Sequence, residues 1–146
     1  MAQEVVRKRG RVLVLDDEQC IVDTLRRILR SEHDVVTSTS PTEVLAGIIG
    51  GERFDAILCD LMMPRITGME VHAALVSYCP EQAERMIFVT AGATRETHEI
   101  FLRSITLPCL RKPFNIDTVS QVVRSVVDQE SREGCAPPAG RRSKVG

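Results

Sequence analysis

Residues 54–68 read Phe54-Asp-Ala-Ile-Leu-Cys-Asp-Leu-Met-Met-Pro-Arg-Ile-Thr-Gly68, and the rest of the chain is best read outward from them. Ala56 to Cys59 is an unbroken apolar run bounded by charged and turn residues. Such a run marks a strand covered on both faces, as inside a parallel sheet. Asp60 closes the run, and Pro64 and Gly68 follow. A carboxylate is costly inside a sheet, so Asp60 belongs at the strand's end, where the chain emerges into a loop. In open α/β sheets that edge is where ligands bind. Taken alone, an aspartate there could simply open a turn. Its neighbours have to decide.

Four more strands can be read around this one. Val12 to Leu15 is a short aliphatic run, and Asp16-Asp17-Glu18 follow at once. His33 to Thr37 is a weaker run, suited to a sheet edge. Met86 to Val89 is apolar throughout and leads into Thr90-Ala91-Gly92. Cys109-Leu110 is the last, followed by Arg111-Lys112-Pro113-Phe114.

Helical signals fill the gaps. Ile21, Val22, Leu25, Ile28 and Leu29 recur at helical spacing, with Arg26, Arg27 and Arg30 opposite. Acids near a helix N-terminus are favoured by its dipole and by capping, which accounts for one of the three acids better than for an adjacent pair. Ser40-Pro41-Thr42-Glu43 is a helix start, with a Ser cap, Pro at the first helical position and Glu at the third. Val44, Leu45, Ile48 and Ile49 give that helix its apolar face, and Gly50-Gly51 stops it. Thr67 and Glu70 form a second capping pair, opening a helix that runs to about Tyr78 and ends before Pro80. A weakly amphipathic helix is predicted from about Thr94 to Ser104. Asn115 caps a last one, with Val119, Val122, Val123, Val126 and Val127 on one face. Five strands alternating with five helices predict a parallel sheet covered on both faces.

Composition narrows the function. With 146 residues the chain fits a single domain. Hydrophobic residues are 43% and charged residues 27%, ordinary for a globular fold. A net charge of -1 offers no basic field for nucleic acid. Aromatics are 3%, with no Trp, which argues against a base-stacking platform. Cys20, Cys59, Cys79, Cys109 and Cys135 are odd in number, widely spaced and without a C-x-x-C pair, so neither a disulfide framework nor a zinc site is indicated. Cys59 and Cys109 read as small core residues. Reduced thiols suit a cytoplasmic location. No signal peptide and no apolar stretch long enough to span a bilayer is present. Residues 1–10 read as a flexible arm and residues 131–146, rich in Pro, Gly and basic residues, as a disordered tail. The domain is expected over 11–130. The tail is too short for a winged helix or helix-turn-helix, so no DNA-reading unit is expected within this chain. His33, His72 and His98 are scattered and read as surface residues.

In a parallel sheet the C-terminal ends of all strands share one rim, with neighbours about 4.8 Å apart. Asp16-Asp17, Asp60, Thr90-Ala91 and Lys112-Pro113 each stand at such an end. In this pattern the sequence resembles the response-regulator receiver domain of two-component signalling, over roughly Arg11 to Gln129. The resemblance implies a flavodoxin-like (βα)5 doubly wound sheet with strand order 2-1-3-4-5. It implies that Asp60 accepts a phosphoryl group from a phosphohistidine on a histidine kinase or histidine phosphotransfer protein. It implies Mg²⁺, or Mn²⁺, held directly by Asp17, Asp60 and the backbone carbonyl of Met62, with Asp16 acting through water. It further implies that Lys112 pairs with Asp60 and then with the phosphoryl group, that Thr90 is the switch hydroxyl, that Ala91 leaves room and Gly92 frees the loop, and that Pro113 follows a cis peptide bond that aims Lys112. Such a domain catalyses only its own aspartyl phosphorylation and dephosphorylation, and phosphorylation can drive homodimer formation.

One position departs from the pattern. Many receivers carry Tyr or Phe three residues before the lysine, and here it is Cys109. Output is then expected to depend on backbone shifts in the fourth helix or on phosphoryl flow. The Cys59-to-Pro64 and Pro108-to-Phe114 stretches look like those of receivers fused to hybrid histidine kinases, and a single-domain response regulator is the other context. The alternative function is a non-phosphorylated pseudo-receiver acting as an interaction module, against which the intact acidic set stands. A flavin-binding flavodoxin shares the strand order, but no Ser/Thr/Gly-rich phosphate loop follows the first strand.

Overall fold

The computed structural model describes residues 9–90 and 96–129. Their elements run β1 (Arg11–Leu15), α1 (Gln19–Leu29), β2 (Asp34–Ser38), α2 (Pro41–Ile49), β3 (Ala56–Asp60), α3 (Gly68–Tyr78), α4 (Pro80–Ala83), β4 (Met86–Thr90), α5 (Glu96–Ser104), β5 (Cys109–Arg111) and α6 (Ile116–Val127). The five strands form one sheet in the order β2-β1-β3-β4-β5, and every pairing is parallel. This is the flavodoxin-like arrangement expected above.

The side-chain alternation of a strand splits the core in two. Leu13, Leu15, Ile57, Cys59, Met86 and Phe88 face α2 and α3, meeting Val44, Ile48, Val71 and Leu75. Val12, Val14, Leu58, Ile87 and Val89 face α1 and α6, meeting Val22, Leu25, Val119 and Val123. The central strand β3 is buried at all five positions, which is why it reads as a continuous apolar run. Capping follows the sequence. Ser40 Oγ accepts from the Glu43 N–H at 3.2 Å. Thr67 and Glu70 close a reciprocal capping box, and Asn115 Oδ1 accepts from Asp117 and Thr118.

Some elements differ from the sequence expectations. The helix predicted to stop before Pro80 is followed at once by α4, because Pro at a first helical position opens a new turn. Within it Gln82 is buried, and its amide exchanges two hydrogen bonds with the Phe54 backbone at 2.9 and 3.0 Å. The start expected for α5 at Thr94 lies outside the described residues. Arg9 is tied to the end of α1, donating to the carbonyls of Arg30, Ser31 and His33 and pairing with Asp34. No helix among the described residues is long and apolar enough to cross a membrane.

The histidines correct the surface assignment. His33 and His98 are only 2% and 4% exposed. His72 is half-buried, with its ring edge-on to Phe88 and Phe101. His33 lies one residue ahead of β2, which begins at Asp34, and is turned inward because the Gly10 backbone there offers its ring a partner. Its Nδ1 accepts the Gly10 N–H at 3.1 Å, so the neutral ring carries its proton on Nε2. Protonating Nδ1 would break that bond and bury a charge. Burial, the largest cause, holds the His33 pKa below its ordinary 6.5. The neutral ring is therefore favoured by folding, and its stabilisation is present above about pH 6.5 and lost as pH falls below it. Urea midpoints of wild type and His33→Gln are expected to converge between pH 7.5 and pH 5.5. A pH-independent gap would show that His33 does not titrate this way.

Candidate functional site

The C-terminal rim of the sheet gathers the charged groups. Asp16 and Asp17 follow β1, Asp60 is the last residue of β3, Thr90 the last of β4, and Lys112 follows β5. Backbone bonds fix this convergence. The Leu61 N–H donates to the Val89 carbonyl at 2.8 Å, and the Lys112 N–H donates to the Thr90 carbonyl at 2.7 Å. Parallel pairing of β3 with β4 and of β4 with β5 thus brings Asp60 and Lys112 together across 52 residues of chain.

Oxygens of Asp16, Asp17 and Asp60 all lie within 4.8 Å of one another. Asp16 and Asp60 are 1% and 4% exposed, while Asp17 faces solvent. Asp60 Oδ1 accepts from the Met62 N–H at 3.3 Å, and Asp16 Oδ1 from the Glu18 N–H at 2.9 Å. Asp16 Oδ2 is buried and, among the described residues, makes no hydrogen bond, only an ion pair with Lys112. The Lys112 ammonium stands 3.5 Å from Asp16, 3.7 Å from Glu18 and 3.9 Å from Asp60. The Lys112–Pro113 peptide bond is cis.

Burial, then the neighbouring Asp16 charge, pushes the Asp60 carboxyl up to about 7, and Lys112 and the Met62 N–H only partly offset this. Asp16 is also raised, chiefly by burial, against the opposing pull of the Glu18 N–H and Lys112. Among the described residues, two buried carboxylates share one ammonium, which leaves an excess of negative charge. Three carboxylate oxygens converging on one point are the hard donor set that Mg²⁺ or Mn²⁺ prefers. The chemistry and placement of the donors fit such an ion.

The β3–α3 loop leaves directly from Asp60. Met62 is exposed beside Asp60, and Arg65 adopts φ 71°, a left-handed turn that bends the loop back toward α3. Gly68 then presses against the loop's own start, its N–H donating to the Leu61 carbonyl at 3.0 Å. Thr90 is fully buried at the end of β4. Ala91 and Gly92 lie outside the described residues. Cys109 is half-buried and pairs in register with Phe88, whose ring meets Phe101 edge-on at 5.3 Å. Sequence reasoning brought the rim together but did not connect Glu18 to Lys112. The available signal was the third acid in the Asp16-Asp17-Glu18 run.

The family model described as "Response regulator receiver domain" matches residues 12–124. The chain belongs to the response regulator receiver domain family. It is 39% identical over 131 residues to the response regulator MprA of Mycobacterium sp. (strain KMS), covering 88% of this chain and 56% of that one. It is 31% identical over 132 residues to the transcriptional regulatory protein TcrA of Mycobacterium tuberculosis, covering 87% of this chain and 48% of that one. The chain thus spans about half the length of these relatives. Among solved structures it resembles the Francisella response regulator 1452 receiver domain, with TM-score 0.67, 25% identity and coverage of 82% and 97%. A receiver domain from Clostridium thermocellum shares the fold, with TM-score 0.71, 23% identity and coverage of 82% and 94%.

Proposed function

We propose that the unit over residues 11–130 is a phosphoacceptor receiver in which Asp60 takes a phosphoryl group from a histidine kinase or histidine phosphotransfer protein. The observation that carries this reading is the meeting of Asp16, Asp17, Asp60 and Lys112 at one rim of the sheet. An Asp60 oxygen attacks phosphorus, the P–N bond to the donor imidazole breaks, and the imidazole nitrogen leaves and regains a proton. Bound Mg²⁺ would neutralise charge shared between the carboxylates and the transferring group. Asp17 and Asp60 would hold it directly with the Met62 carbonyl, and Asp16 would act through water. Lys112 transfers its pairing from Asp60 to a phosphoryl oxygen.

Thr90 is the hydroxyl we assign to the switch, with Ala91 and Gly92 giving the phosphoryl group room and the loop freedom. Cys109 stands where an aromatic reporter is common. Phe101 of α5 packs into the same core as Cys109, so a shift of the α5 backbone is the route by which the state of Thr90 would reach the surface. Pairing of two phosphorylated copies would be one consequence.

Incubation with acetyl phosphate and Mg²⁺ is expected to add the mass of one phosphoryl group. The gain should vanish with EDTA or in Asp60→Asn. A folded wild type that stays unmodified under a range of donors and cations would refute the reading and favour an interaction module without phosphorylation.

A further inference from the structure

Glu18 stands at the N-cap of α1, yet its side chain makes no capping bond. Helix capping therefore does not explain it. Its carboxylate instead lies 3.7 Å from the Lys112 ammonium, between the distances to Asp16 and Asp60. All three separations exceed the about 2.7–3.2 Å of an ordinary N–H···O bond, so a single cation is shared among three anions. Asp16 and Asp60 are buried and each accepts from a backbone N–H. The Glu18 side chain is 59% exposed and has room to move.

We propose that Glu18 is a positioning residue: a competing counter-ion that draws Lys112 toward itself and away from Asp60 until a phosphoryl group claims it. The inference rests on the phosphoacceptor reading above. Lys112 carries one charge. Every arrangement in which Glu18 holds it is one in which it is less available to an anion on Asp60. Glu18 thereby favours the unphosphorylated state. An exposed ion pair is weak, so the expected effect is a modest factor, about two- to fivefold. Glu18→Gln removes the charge while keeping size and shape.

The test is calorimetric binding of beryllium fluoride, an anionic stand-in for the phosphoryl group, to the full chain at saturating Mg²⁺. Wild type, Glu18→Gln, Lys112→Met and the double variant complete a cycle. Glu18→Gln is expected to bind about two- to fivefold tighter when Lys112 is present and to change nothing in the Lys112→Met background. Equal tightening in both backgrounds would mean that Glu18 merely repels anions, and no tightening would mean that it is idle; either result overturns the proposal. Should Lys112→Met fail to fold, Lys112→Gln carries the same comparison. A folded wild type that binds no beryllium fluoride would bring down the phosphoacceptor reading, and Glu18's role with it. A lost cycle effect alone removes only Glu18.

Discussion

In metal-free buffer at pH 8, Asp60→Asn is expected to unfold about 10 °C above wild type while accepting no phosphoryl group. The two effects have one cause. Asp60 is 4% exposed, beside a second buried carboxylate, and the Lys112 ammonium near it is shared with Asp16 and Glu18. Its carboxyl is pushed up from an ordinary 3.8 to about 7, first by burial and then by Asp16. That rise corresponds to about 2–4 kcal/mol of strain in the ionised folded state. The sign follows from linkage: a carboxyl raised by folding favours the folded state only while protonated. Wild-type stability relative to Asp60→Asn should therefore fall as pH climbs from about 4 to about 7, then level off. Asn keeps an oxygen for the Met62 N–H and removes the charge. Thermal unfolding of both proteins across that range, in EDTA, measures the difference. A gap that does not vary with pH would show that Asp60 is not held in this way.

Mg²⁺ should narrow the same gap. A cation that binds the folded site stabilises wild type by mass action, and the variant has lost one of its ligands. The same excess of negative charge that destabilises the rim in metal-free buffer would draw a cation to it. The proposed ligand set needs Asp16 and Asp60 ionised, so on that reading the apparent affinity should rise with pH up to about 7.

Much of this was legible in the residues. Buried parallel strands are written as apolar runs at Val12, Ala56 and Met86, because no face meets water. Ser40, Thr67 and Asn115 announce helix starts through bonds made within three residues. The rim could be assembled because a parallel sheet aligns strand ends whatever the loops do. What stayed hidden depends on partners distant in sequence. His33 is inward because Gly10, 23 positions away, donates to it. Gln82 is buried because the Phe54 backbone, 28 positions away, satisfies both ends of its amide. Glu18 could be recognised as more than a cap residue only when the length and direction of Lys112 were known. Neither charge pattern nor periodicity contains that information.

Gly68→Ala is expected to destabilise the domain by about 2–3 kcal/mol and to slow phosphorylation from acetyl phosphate at least about tenfold. A Cβ at that position would stand 2.5 Å from the Asp60 carbonyl oxygen and 2.9 Å from Leu61 Cα. Both are backbone atoms, so no rotamer change relieves the contact. Either α3 backs away, losing the Gly68 N–H bond to the Leu61 carbonyl, or the chain at Asp60 moves. The second response displaces the carboxylate and the Met62 N–H that orients it. Gly47→Ala is the matched comparison. The nearest atoms to its Cβ belong to the flexible Glu52 side chain and not to backbone, and it replaces glycine inside α2, a gain of up to about 1 kcal/mol in helix propensity. Urea denaturation should separate the two alanines by several kcal/mol in opposite directions. Phosphorylation rates should fall only in the first. If Gly68→Ala were as stable as Gly47→Ala and phosphorylated normally, the close approach of α3 to the Asp60 strand would have no part in holding the site.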